Sequence, residues 1–124
     1  MNVVDSSAWL EYFTDGSNAH LYAAAIENTA RLIVPSITLF EVYKRSLQQR
    51  GEDQALEAVA AMRQGRVVNL DERTAIEAAQ VSVALKLPLA DSVILATARR
   101  YRAVLWTQDA DFEGMAGVKY FARK

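Results

Sequence analysis

Four acidic residues stand where short apolar runs end or helices begin. Asp5 follows Val3-Val4, and Glu41 closes Ser36-Ile37-Thr38-Leu39-Phe40-Glu41. Asp91 heads Asp91-Ser92-Val93-Ile94-Leu95-Ala96-Thr97-Ala98, and Asp109 follows Val104-Leu105-Trp106-Thr107-Gln108. They are far apart in sequence, so they form a site only if the fold gathers them. Two carboxylates about 5 Å apart repel by roughly 3 kcal/mol at an effective dielectric near 20. Four in one pocket would force protonation or loosen the fold unless cations intervene. Carboxylate oxygens with no histidine or cysteine among them select hard cations, Mg2+ or Mn2+. The chemistry that follows is phosphodiester hydrolysis. A bound cation acidifies and orients a water for in-line attack, a second stabilises the leaving oxygen, and a carboxylate free of metal takes the proton.

Each acid also has a plainer reading, which the residues taken singly leave open. Asp5 fits a helix cap for the segment after Ser6. Glu41 fits a pair with Lys44 or Arg45 on one helix face. Asp91 fits a first-turn aspartate favoured by the helix dipole. Asp109 and Asp111 fit ordinary turn residues. The pattern Asp109-Ala110-Asp111 also resembles the acid pair of enzymes that pass through an aspartyl phosphate, although there it belongs to the first strand and here it lies near the C-terminus. His20, the one histidine, reads as a surface residue, because no second histidine or acid pair completes a site around it.

Strands and helices alternate along the chain. Met1 to Asp5 reads as a buried strand, with Ser6-Ser7 as the cap of a short helix from Ala8 to Phe13. Asn18 to Asn28 reads as a helix with Leu21, Ala24, Ala25 and Ile26 on its apolar side. Arg31 to Pro35 is a second strand. Ser36 is expected to cap a helix to about Arg50, broken by Gly51, and Asp53 to Gln64 forms the other arm of a helical hairpin closed by Gly65. Val67 to Leu70 is a short strand, and Asp71 caps the helix Glu72 to Lys86. Pro88 and Asp91 mark a helix to about Arg100, Ala103 to Thr107 is a strand, and Gly117 to Phe121 is a last edge strand. This order predicts one α/β domain over residues 1–124, a three-layer sandwich. Its central, mostly parallel sheet has four to five strands, with helices on both faces. Ligands of such sheets bind beyond the carboxyl ends of the strands; Asp5 and Asp109 sit just past strands and Glu41 and Asp91 near helix starts, so all four can reach that edge.

Bulk properties narrow the function. The 124 residues fit a single domain, and 52% hydrophobic content supplies a core without staples. The absence of cysteine excludes disulfides and thiolate metal sites. No apolar stretch approaches the ~20 residues that cross a bilayer, and no signal peptide is expected at the N-terminus, so no membrane role is expected and a cytoplasmic location fits. Net charge is −1; with the four acids neutralised, 14 basic residues face 11 acidic ones and the balance is +3. A polyanionic substrate is compatible with that balance. Arg99-Arg100-Tyr101-Arg102 fits either phosphate contacts or the negative end of its own helix. Trp106 reads as core. Trp9, Tyr12 and Phe13 read as more open, with Trp9 and Phe13 on one face as core or partner surface. The hairpin carries Leu39, Val42, Tyr43, Leu47, Leu56, Val59 and Met62, more apolar surface than a lone domain wants.

Four segments, in order, carry a resemblance: Val-Val-Asp-Ser-Ser, Leu-Phe-Glu-Val, Ala-Asp-Ser-Val-Ile-Leu-Ala-Thr-Ala and Trp-Thr-Gln-Asp-Ala-Asp-Phe. Together they resemble the PIN domain over essentially the whole chain, and within it the VapC-type toxin ribonucleases of toxin–antitoxin pairs. The family's catalytic, metal-holding acids fall on Asp5, Glu41, Asp91 and Asp109. Ser6 and Thr107 match hydroxyls that support those acids, and Asp111 matches a less consistent acid that holds metal through water. Ser92 departs from a frequent alanine. The resemblance implies Mg2+- or Mn2+-dependent endonucleolytic cleavage of RNA, inhibition by a small cognate VapB-like antitoxin seated in a groove such as the hairpin offers, and a homodimer. The alternatives are a catalytically inactive PIN-like binding module and, below it, an aspartyl-phosphate phosphotransferase.

Overall fold

The computed structural model describes residues 1–124. Five strands form one sheet: β1 (Asn2–Val4), β2 (Leu32–Pro35), β3 (Arg66–Val68), β4 (Val104–Thr107) and β5 (Val118–Tyr120). Their spatial order is β3-β2-β1-β4-β5, and every pairing is parallel. The sheet is therefore wholly parallel rather than mostly so. The register sets Val4 opposite Trp106. Asp5 N–H then donates to Trp106 O at 3.1 Å, which continues the ladder to the strand end.

Alternate side chains of the central strands feed two cores, as strand geometry requires. Val4, Leu32 and Val34 face helices α1 (Ser6–Phe13), α2 (Ala19–Glu27), α3 (Ser36–Arg50) and α4 (Glu52–Met62), where Trp9, Tyr22, Val42 and Met62 are fully buried. Val3, Ile33 and Leu105 face α6 (Leu89–Arg100) and the short turn holding Phe112. Helix α5 (Glu72–Leu85) packs on the outer side of α6. The three-layer expectation holds.

Local chemistry departs from expectation at several points. The cap of α1 is Asp5, as its plainer reading has it, rather than Ser6 or Ser7, because its side chain accepts from Ala8 N. Ser36 lies inside α3 as its first residue; Pro35 holds the cap position, its fixed φ suiting the extended backbone there. On α2, Ala19 and Tyr22 join Ala25 and Ile26 in the core while Ala24 faces out, a one-position rotation of the apolar stripe. Trp9 is fully buried and stacks on Phe13 with centroids 5.5 Å apart, so that pair is core rather than surface. Gly51 joins α3 to α4 at φ +92°, a conformation that residues with a Cβ rarely adopt. Asp71 caps α5 by accepting from Thr74 N, and Arg100 reaches it at 2.8 Å. Arg100 thus ties the end of α6 to the start of α5. Trp106 is only half-buried, its Nε1 donating to Asn2 Oδ1 and its ring lying under Lys119. His20 is exposed.

Candidate metal centre

The carboxyl ends of β1, β2 and β4 open onto a cleft of about 740 Å³. Asp5, Glu41, Asp91 and Asp109 all line it, together with Ser6. Asp5 leaves β1 directly, and Asp109 follows β4 by two residues. Glu41 sits in the second turn of α3, which starts straight from β2. Asp91 sits in the first turn of α6, and that turn is pinned from below. Ser92 is buried and its hydroxyl donates to Pro88 O at 2.8 Å and Leu87 O at 3.2 Å. The alanine-to-serine departure therefore adds anchorage to the turn that carries Asp91.

The acids divide into two groups. Asp91, Asp109 and Asp111 each place a carboxylate oxygen within 4.8 Å of the others. Asp111, expected as a supporting acid, thus lies inside the tightest acid group, although it is itself exposed. Asp5 and Glu41 share the cleft without joining that group. Asp5 is almost wholly buried, and its Oδ1 accepts from Ser7 Oγ at 2.7 Å and Ala8 N at 3.1 Å. Thr107 Oγ1 accepts from Asp109 N at 2.9 Å, and its hydroxyl works against the upward shift of the Asp5 carboxyl. Ser6 Oγ donates to Glu41 Oε1 at 2.5 Å. The plain pairing of Glu41 with Lys44 or Arg45 does not form; the ion pairs of the chain are Arg73–Glu77 and Arg100–Asp71.

Ser7 holds Asp5 while Ser6, the expected supporting hydroxyl, holds Glu41; sequence reasoning missed Ser7 by treating it only as a cap. Apart from Glu41, it also missed the walls of the cleft. Ser7, Leu10, Glu11 and Thr14 from α1, and Glu41, Lys44, Arg45 and Gln48 from α3, line it. Both sets recur at i, i+3, i+4 and i+7, a signal present in the sequence.

Two carboxyls are pushed upward. Burial raises Asp5 from 3.8 to about 6, against the pull of its hydrogen bonds. Burial, then the charge of Asp109 and a hydrogen bond with Asp111, raise Asp91 from 3.8 to about 7. The folded chain therefore binds more protons than the unfolded chain between about pH 4 and pH 7. Stability of the metal-free protein falls as pH rises through that window and stays low above it. Discounted for the half-exposed position of Asp91, its share is about 1–2 kcal/mol. Asp91→Asn is expected to raise the thermal unfolding midpoint of metal-free protein near pH 8 and to change it little near pH 4. An unaltered midpoint near pH 8 would show that Asp91 carries no such strain.

These features fit a hard divalent cation. The donors are carboxylate oxygens alone, three of them converge, and charge in the cleft is uncompensated by any ion pair. Asp91, Asp109 and Asp111 are the residues that could hold such an ion, and Asp5 lines the same cleft.

The PIN domain family model matches residues 3–118. A toxin–antitoxin complex from Klebsiella pneumoniae superposes with a TM-score of 0.81 at 24% identity, covering 96% of both chains. VapC20 of Mycobacterium tuberculosis, a toxin that cleaves the sarcin–ricin loop, superposes with a TM-score of 0.78 at 19% identity, covering 96% of this chain and 99% of its own. DNA-bound VapBC from Salmonella typhimurium gives 0.74 at 20% identity over 98% of each chain. At these identities the likeness is one of fold. No curated protein gives a significant match to the sequence.

Proposed function

The chain belongs to the PIN domain family, and from that premise we propose that it is a Mg2+- or Mn2+-dependent endoribonuclease, the toxin of a toxin–antitoxin pair. The observation that carries this reading is the convergence of Asp5, Glu41, Asp91 and Asp109 on one cleft beyond the carboxyl ends of the strands. When bound, a divalent cation supplies an acidified water and charge stabilisation at the phosphate. The chain's own residues do the rest. Asp91, Asp109 and Asp111 would hold the cation, with Asp5 as a further ligand from the same cleft, positioned by Ser7, Thr107 and the start of α1. Glu41 lies outside the tight acid group and is aimed by Ser6, so it is the carboxylate placed to take the proton of the attacking water.

A partner surface adjoins the cleft. Leu39, Phe40, Tyr43, Leu47 and Val59 of α3 and α4 line an apolar groove of about 520 Å³, with Phe40 63% and Leu47 42% exposed. Phe40, Lys44 and Gln48 border both groove and cleft. A cognate antitoxin helix laid in the groove would abut the catalytic acids. Toxin–antitoxin complexes among proteins of the same fold support that partner. A second copy of the chain, expected from the same resemblance, remains part of this reading. No single helix is long and apolar enough to cross a membrane, and a cytoplasmic location fits an RNA substrate.

Incubation of purified protein with RNA tests the reading. Cleavage that requires Mg2+ or Mn2+, stops with chelator and leaves internal breaks is expected. No metal-stimulated cleavage of any RNA class would overturn it.

A further inference from the structure

Resting on the nuclease reading, we propose that Lys44 and Arg45 on α3 and Arg123 of the C-terminal tail grip the phosphates of the RNA strand in the cleft, with Gln108 as a neutral donor beside Asp109. All four line the cleft. The three cations form none of the ion pairs of the chain, although acids stand nearby, so their charge is available to a ligand. Lys44 and Arg45 follow Glu41 on the same helix face, while Arg123 arrives from a tail that is held in place. Phe121 N–H donates to Thr107 O at 2.9 Å, and the Phe121 ring packs on Tyr22 and Trp106. Asn18, fully buried, donates from Nδ2 to Ala122 O at 2.9 Å, one residue before Arg123.

The same Asn18 Nδ2 donates to Gln108 Oε1 at 3.2 Å, which fixes the way the Gln108 amide points. Gln108 is 4% exposed, yet its Nε2 keeps a share of that exposure and donates to no protein group. That nitrogen therefore reaches the cleft as an oriented donor. With cations neutralising the four acids, the cleft presents positive and donor groups beside them, which suits a polyanionic strand.

Steady-state cleavage of a short mixed-sequence single-stranded RNA by Mn2+-loaded protein tests this. Arg123→Gln and Lys44→Gln are each expected to raise KM about threefold to tenfold with kcat changed less than about twofold. Each is also expected to flatten the slope of log(kcat/KM) against log salt by about 0.7, the loss of one phosphate contact on a single strand. Gln108→Met is expected to raise KM with no change in that slope, because the lost donor is neutral. Arg31→Gln, outside the cleft, serves as the control. Normal KM and slope in Arg123→Gln and Lys44→Gln, or an equal effect of Arg31→Gln, would overturn the proposal while leaving the nuclease reading intact. Wild-type protein that cleaves no RNA would remove both.

Discussion

Asp91→Asn and Asp5→Asn are each expected to lower Mn2+-stimulated RNA cleavage by at least about 10³-fold, some 4 kcal/mol of transition-state stabilisation. The size follows from where the charges sit. Asp91 and Asp109 lie close together with the exposed Asp111, and Asp5 lines the same cleft from a buried position. Asparagine keeps shape and one oxygen but removes the charge that draws a hard cation into a desolvated site. The fold survives both changes. Asn at position 5 still offers an oxygen to Ser7 and Ala8, so the cap of α1 is retained. Asn at position 91 relieves the repulsion with Asp109. Unchanged circular dichroism alongside lost cleavage is the expected pair of results. Full activity in either variant would remove that acid from the centre.

The second large effect is on partner binding. Tyr43→Glu and Leu47→Glu are each expected to weaken antitoxin binding at least about 100-fold, measured by titration of the cognate partner or its loss from co-purification. Buried anchors in a desolvated groove carry most of such an interface, and a carboxylate there is left without a partner. Leu47 is 42% exposed, so its replacement costs the isolated domain little. RNA cleavage by the variants is expected to persist in the presence of antitoxin, because the acids of the cleft are untouched. Normal inhibition would place the partner elsewhere.

Much of the fold and of the acid cluster is legible in the amino-acid sequence. Apolar runs ending in Asp5 and Asp109 mark central parallel strands, and Gly51, Asp71 and Pro88 mark helix boundaries within a residue or two. The gathering of the acids follows from the rule that such sheets bind ligands at the carboxyl ends of strands. What stays hidden depends on long-range packing. Trp9 looks surface-prone in an eight-residue helix, and only the closure of α2 over α1 buries it. Asp111 reads as a turn residue until the 3-10 turn after β4 swings it toward Asp91. The cleft wall from Arg123 depends on a bond between Asn18 and Ala122, 104 residues apart, which no local pattern encodes. Ser7 is a nearer miss, since a hydroxyl two residues beyond Asp5 commonly turns back on it.

Anomalous diffraction from crystals grown with Mn2+ tests the central claim most directly. A Mn2+ peak is predicted within coordination distance, about 2.0–2.4 Å, of oxygens from Asp91 and Asp109, with Asp5 facing the same ion directly or through one water. A cleft with no peak at saturating Mn2+, or a peak bound only at surface acids elsewhere, would contradict the account.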